Sequence, residues 1–294
     1  MQADQKIYTP NGEILPGMAL PEGVRRVALA LEYHGGSFRG FQQQEEGVPT
    51  VQAALQQALS KVANEPITLV CAGRTDACVH ATHQVVHFDT RALRQPKAWT
   101  QGVNAHLPAG VAIKWAGEVP GEFHARFSAR ERTYRYVIYN SPTRPALMHD
   151  QLTWCREPLD LARMQAGAAH LIGEHDFNAF RAAQCQARHP VREIKRIDLA
   201  RRGDLLVMEI TANAFLHHMV RNIAGVLMRV GKGWAEPGWV AEVLASRDRT
   251  RAAETAPPYG LYLVHVAYPD TFSLPVFAPG PSFFPEGLGE FGHK

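Results

Sequence analysis

The segment that most narrows the possible folds runs from Ile67 to Asp89. Residues Ile67 to Ala72 form an apolar run suited to a buried strand. The run stops at Gly73 and gives way to the polar loop Arg74-Thr75-Asp76-Ala77-Cys78. A second apolar stretch, about His83 to Asp89, then leaves through Gln84-Val85-Val86-His87-Phe88. The loop's one carboxylate, Asp76, is thus held between two strands and follows directly on Arg74-Thr75. A carboxylate fixed in this way beside a cation can act as a nucleophile. The same residues also suit an Asx-type turn, and this segment alone leaves both roles open.

Periodicity on either side extends the pattern. Val27, Leu29, Leu31 and Tyr33 alternate with Ala28, Ala30 and Glu32, as a strand with one large-side-chain face does. A Gly-rich loop, His34 to Phe41, follows. Thr50 is placed to cap a helix whose apolar stripe is Val51, Leu55, Leu59 and Val62. After the strands around Asp76, residues 95–105 read as a helix and 111–119 as a strand. The order is β-α-β-β-α-β, that of ferredoxin-like and RNA-recognition modules. A comparable order recurs. It has a strand over 132–140, a helix over 159–172, a hairpin turning at Arg202-Gly203-Asp204, a helix over 216–230, a short helix over 239–245 and a strand over 261–268. The expected fold class is therefore α+β, with two ferredoxin-like, RRM-like α/β domains of antiparallel sheets. The cleft between two such domains is the default place for a site. The expected divisions are a tail over 1–23, an N-terminal domain over 24–128, a C-terminal domain over 129–270 and a tail over 271–294. The second tail carries phenylalanines that could dock on the body or on a partner.

A chain of 294 residues is long enough for two cores. No apolar run is long enough to span a bilayer, and the N-terminus lacks a cationic start with an apolar core. Four cysteines, Cys71, Cys78, Cys155 and Cys185, make no disulfide framework, so a reduced cytoplasm is the expected setting. The net charge of only +3 does not announce a polyanion partner. Locally, Arg126, Arg130, Arg132 and Arg135 interleave with Phe127, Tyr134 and Tyr136. Arg188, Arg192, Lys195, Arg196, Arg201 and Arg202 form a second basic cluster, and Arg247, Arg249 and Arg251 a third. Such clusters are either solvated faces or contacts for phosphates and bases.

Four constellations bear on chemistry. Tyr134 offers a flat ring beside the domain junction, whereas Tyr136 and Tyr139 read as core residues. His217, His218, Arg221 and Asn222 open an otherwise apolar helix, which pairs His217 with Arg221 on one face. An arginine there either reaches solvent or pairs with a carboxylate; Asp76 is the candidate, which Arg221 would keep ionised. Cys71, Cys78, His80, His83 and His87 crowd one region, but with no CxxC or HExxH spacing the expectation is no metal. No Gly-rich loop matches GxxxxGK[ST] or GxGxxG, which argues against nucleotide binding of those kinds.

Taken together, the segments Tyr33 to Gln44, Thr50-Val51-Gln52, Gly73 to Asp76 with Val79-His80-Ala81, and Phe123 to Ala129 form a recognisable series. It continues through Arg132 to Tyr136, His175-Asp176-Phe177, Phe215 to Asn222 and Gly260 to Leu263. The chain resembles the tRNA pseudouridine synthase A family from about Val27 to Tyr268. The resemblance implies the pseudouridine synthase fold with a central catalytic cleft and isomerisation of uridine at tRNA positions 38, 39 and 40. It implies that Asp76 is the catalytic aspartate, Tyr134 the tyrosine stacked on the target base, and Arg221 the basic partner of Asp76. Arg74 is implied to lie close to the RNA, and Arg126 and His217 are further candidates for binding it. A homodimer sharing one tRNA and the absence of any cofactor are implied as well. The chain departs from the family at Cys78 and His83, where glycine is usual, and has Phe41 where tryptophan is common.

The reaction breaks the N1–C1′ bond, turns the base and rejoins it through C5, with no redox step. Asp76 as nucleophile or base, Arg221 as orienting cation and Tyr134 as stacking platform meet its needs. The alternatives are an RNA-binding or chaperone protein of the same fold and, from the Cys/His crowd, a zinc hydrolase.

Overall fold

The computed structural model describes residues 19–283. The chain divides into two compact units. One comprises residues up to Arg130 together with His265–Ala278; the other comprises Glu131–Val264 and the residues from Pro279 on. The fold is α+β and its strand pairing is mostly antiparallel.

In the first unit the strands are β1 (Arg25–Tyr33), β2 (Leu69–Cys71), β3 (His80–Thr90) and β4 (Val111–Val119). Their order is β4-β1-β3, with β2 paired to β3, all antiparallel. The register sets Val27 opposite Phe88 and Leu29 opposite Val86. Every residue of β1 from Arg26 to Leu31 is buried, so its alternation is one of side-chain size and not of polarity. Helix α1 (Val51–Ala63) begins at Thr50, whose hydroxyl accepts from the Ala53 N–H, and ends at Asn64 in the left-handed region at φ +60°. Its buried face is Val51, Leu55, Ala58, Leu59 and Ala63. The helical run expected at 95–105 is shorter and wider, with a π-helical middle at Ala98–Gly102 that buries Trp99 against Phe88.

The second unit contains β5 (Glu131–Asn140), β6 (Thr153–Cys155), β7 (Gly173–Asp176), β8 (Val191–Arg202) and β9 (Leu205–Ala212). Helices α2 (Leu161–Ala169), α3 (Met219–Gly231) and α4 (Trp239–Ser246) belong to it. Strand β10 (Leu261–Ala267) starts in this unit, where it borders β5, and its residues from His265 on belong to the first. The order β5-β9-β8-β7 is antiparallel, and β6 adds to β5 in parallel. The β8–β9 hairpin turns at Gly203, whose φ of +56° glycine adopts without strain. Val137, Leu152, Val207, Tyr262 and Val264 form a core cluster, against which Phe283 packs. Asp160 caps α2 by accepting from the Arg163 N–H. Gly167 of α2 lets α4 approach, since a Cβ there would lie 3.0 Å from Val240 Cγ2.

Two features bear on the sequence expectations. Beyond 270 the described residues dock through the phenylalanines that the sequence singled out. Phe277 packs on His83, and the Lys114 ammonium lies over its ring. The Gly280 carbonyl accepts from Arg135 at 2.9 Å. The expected tail over 1–23 lies almost wholly outside the described residues. The first basic cluster is also not a surface stripe. Arg135 is fully buried and pairs with Glu209, its register partner across β5 and β9, at 2.8 Å. Arg132 is buried too and donates to the Asn213 carbonyl. In the second cluster, Lys195 pairs with Glu131, and Arg196 pairs with Glu209 and Asp198.

Candidate active site

Asp76 lies half-buried on the loop between β2 and β3, with Arg74 exposed beside it. The loop is short and polar, so neither strand's ladder can hold it; the Gly-rich loop 34–41 does. The Phe41 N–H donates to the Thr75 carbonyl at 3.0 Å, and the Cys78 N–H to the Phe38 carbonyl at 3.4 Å. The Gly35 N–H donates to His80 Nδ1 at 2.9 Å. Tyr33 and Thr75 share a buried hydroxyl–hydroxyl bond of 2.8 Å, and the Gln84 amide donates to the Gly73 carbonyl at 2.7 Å. The two backbones approach closely because glycine permits it. A Cβ on Gly35 would sit 2.0 Å from the Val79 oxygen, and one on Gly40 3.1 Å from the Thr75 oxygen. Asp76 is therefore set on a backbone fixed from both sides, and the turn it forms (Val79 N–H to Asp76 O, 3.2 Å) is compatible with a chemical role.

The two departures from the family pattern resolve differently. Cys78 has φ +64°, so the turn does use the left-handed region and cysteine occupies it at a cost of about 1 kcal/mol. His83 is 3% exposed, with its ring against His265 and Phe277. It fills space and does not present a contact to RNA. Burial pushes its pKa down to about 4, helped by the neighbouring His265 and Lys114.

The other histidines once grouped with the cysteines are committed to backbone. His80 Nδ1 serves Gly35, and His87 Nδ1 accepts from the Ala125 N–H at 3.1 Å. Burial holds His87 well below the ordinary histidine range.

Arg126 is exposed and lies over the Phe127 ring at 5.5 Å. The turn that carries both is knit by His124. Its Nδ1 accepts from the Arg126 and Phe127 N–H groups at 3.1 Å each, and its own N–H meets Ser128 Oγ at 2.9 Å. Burial lowers the His124 pKa to about 4, which keeps Nδ1 an acceptor.

Tyr134, His217 and Arg221 belong to the second unit, whereas Asp76, Arg74 and Arg126 belong to the first. Tyr134, on β5, is 8% exposed and meets Phe215 edge-on at 5.1 Å. Arg221 sits in the first turn of α3, and its Nε donates to the Ala256 carbonyl at 2.9 Å. That bond fixes the plane of the guanidinium. The helix starts at Met219, not at Leu216. His218 stands before it at φ +62°, so His217 and Arg221 do not share a helical face. His217 stacks on His218 at 4.0 Å instead. Tyr136 is a core residue, fully buried, donating to the Pro257 carbonyl; burial raises its pKa far above the usual phenol range.

The model of the tRNA pseudouridine synthase family matches residues 29–128 and 168–269. The chain belongs to that family. It is 56% identical over 261 residues to the tRNA pseudouridine synthase A of Pseudomonas aeruginosa, covering 89% of this chain and 92% of that protein. It is 54% identical over 263 residues to the Alcanivorax borkumensis protein of the same name, covering 90% and 98%. The Enterobacter protein of that name is 55% identical over 260 residues, covering 88% and 96%. As a pseudouridine synthase the enzyme is an isomerase. No helix among its described residues is long and apolar enough to cross a membrane.

Sequence reasoning missed the supporting residues. Tyr33 and Gln84 read only as strand residues, Thr75 as a turn former and His80 as part of the Cys/His group. The one signal was a polar residue, Gln84, at the head of an apolar strand run.

Proposed function

We propose that the enzyme isomerises uridine to pseudouridine at positions 38, 39 and 40 of the tRNA anticodon stem-loop, with Asp76 as the catalytic carboxylate. The observation that carries the proposal is the clamped loop. A half-buried aspartate sits on a backbone bonded by Phe41, Cys78, Gln84 and Tyr33–Thr75, in a chain of this family. Rigid placement of the attacking group is what a reaction that detaches and rejoins one base requires. Tyr134 is the stacking platform for the detached base. Arg221 is the cationic partner that orients Asp76. Arg74, Arg126 and His217 contact the RNA. The reading draws on residues of both units, each taken as a ferredoxin-like domain, spanning 24–128 and 129–270, beside the catalytic cleft. It also includes a homodimer acting on one tRNA, a cytoplasmic setting and no cofactor, since neither a redox partner nor an external acceptor enters the reaction.

The target base is stacked in a stem-loop, so flipping it out costs a few kcal/mol. Phosphate contacts offset that cost and make binding weaken with salt. The test is pseudouridine mapping of an unmodified tRNA incubated with the wild type and with Asp76→Asn. Conversion at 38–40 by the wild type alone supports the proposal. Conversion by Asp76→Asn at the wild-type rate removes Asp76 from the chemistry. Tight, salt-sensitive binding with no conversion by either protein points to an RNA-binding or chaperone role.

A further inference from the structure

Arg221 is only as well aimed as the carbonyl that holds its Nε. That carbonyl belongs to Ala256, whose own N–H donates back to the Arg221 carbonyl at 3.2 Å. Ala256 lies on an irregular stretch, residues 252–257, that is neither helix nor strand. Such a stretch keeps its place only through bonds made from outside it.

Those bonds converge on two residues. The Arg249 guanidinium donates from Nη1 to the Ala253 carbonyl at 2.9 Å. Its Nη2 donates to Thr255 Oγ1 at 3.0 Å and to Asn222 Oδ1 at 3.1 Å. The Thr255 hydroxyl donates to Asn222 Oδ1 at 2.6 Å, and the Asn222 amide donates to the Phe180 carbonyl at 2.7 Å. Asn222 is fully buried and follows Arg221 directly on α3, so one helix turn carries both the arginine and the anchor of the loop that orients it. Tyr136 holds the far end by its bond to the Pro257 carbonyl. Gly225 admits the loop, since a Cβ there would lie 2.0 Å from the Glu254 oxygen.

Among the described residues, the side-chain hydrogen bonds of Arg249 all go to uncharged oxygens. A fork of donors matched to three neutral acceptors serves geometry, and an ammonium cannot reproduce it. We infer that Arg249, with Asn222 and Thr255, is a positioning residue for Arg221 and not a phosphate contact. The inference rests on the proposed role of Arg221.

The test uses the full-length enzyme, an unmodified tRNA transcript and single-turnover rates, with tRNA affinity measured as a function of salt. Arg249→Lys keeps the charge and loses the fork. It is expected to slow conversion about 10-fold or more, as sub-ångström misplacement does, with affinity and its salt slope unchanged. Thr255→Val is expected to act in the same direction, and it carries the test if Arg249→Lys does not fold. In an Arg221→Ala background, either substitution should slow the residual rate less than twofold. Equal slowing in both backgrounds overturns the inference, as does an effect confined to affinity and salt slope. Arg221→Ala with the wild-type rate overturns the role of Arg221 and this inference with it. Additive effects on top of a crippled Arg221→Ala overturn this inference alone.

Discussion

His83→Phe should convert a pH-dependent enzyme core into a less pH-dependent one. His83 is packed among His265 of β10, Lys114 of β4 and Phe277, and its Nδ1 has no hydrogen-bond partner among the described residues. Its pKa falls from 6.5 to about 4 in the folded protein because burial disfavours the imidazolium. Below pH 6.5 the unfolded chain therefore takes up a proton that the folded chain refuses. The contribution of His83 to stability is complete above pH 6.5, is lost as pH falls, and levels off near pH 4 where the folded state also protonates. The full loss is about 3 kcal/mol, and about 2 kcal/mol of it has gone by pH 5. Urea unfolding of wild type and His83→Phe at pH 7.5 and pH 5.0 measures this directly. The cost of fitting the larger ring is the same at both pH values and cancels. With equal urea slopes, the stability difference between the two proteins should move by about 2 kcal/mol in favour of His83→Phe on going to pH 5.0. A difference that stays constant between the two pH values refutes the reasoning, because it means that His83 is protonated alike in both states.

Three further outcomes follow from the same structure. Gly35→Ala forces a Cβ against the Val79 carbonyl, so the Asp76 loop must shift. Single-turnover conversion should drop by about 10- to 100-fold with tRNA affinity retained, and a full rate would show the loop does not need that contact. Cys78→Gly should be more stable than Cys78→Val by at least about 1 kcal/mol, because a β-branched residue at φ +64° is strained; equal melting temperatures would contradict this. Arg135→Leu should cost about 1–3 kcal/mol in urea unfolding by taking from buried Glu209 its buried partner while Arg196 stays, and adding Glu209→Leu should recover part of it. No recovery in the double variant would mean the cost is lost packing.

Elements with a clear period were legible without the fold. Thr50 and the stripe from Val51 to Leu59 announced α1, and the 111–119 strand lies where the sequence reading placed it, since local periodicity follows from backbone geometry alone. Arg135 was not legible. A charged residue among exposed-looking basic neighbours becomes a core residue only once register sets Glu209 opposite it. The helix after Phe215 was read too long for a related reason. Its apolar pattern continues through His217 and His218, but His218 turns into the left-handed region and starts the helix at Met219.

The sequence by itself determined the strand–loop–strand that carries Asp76, the family to which the chain belongs and the pattern of its main helices and strands. These depend on residues near one another in the chain or on motifs in fixed order. Only the tertiary structure decided what holds the Asp76 loop, what the Arg221 guanidinium bonds to and where the segment after 265 goes. Gly35 meeting Val79, Arg249 meeting Asn222 and Phe277 meeting His83 are contacts between distant parts of the chain. Their geometry is set by register and packing, which no local propensity encodes.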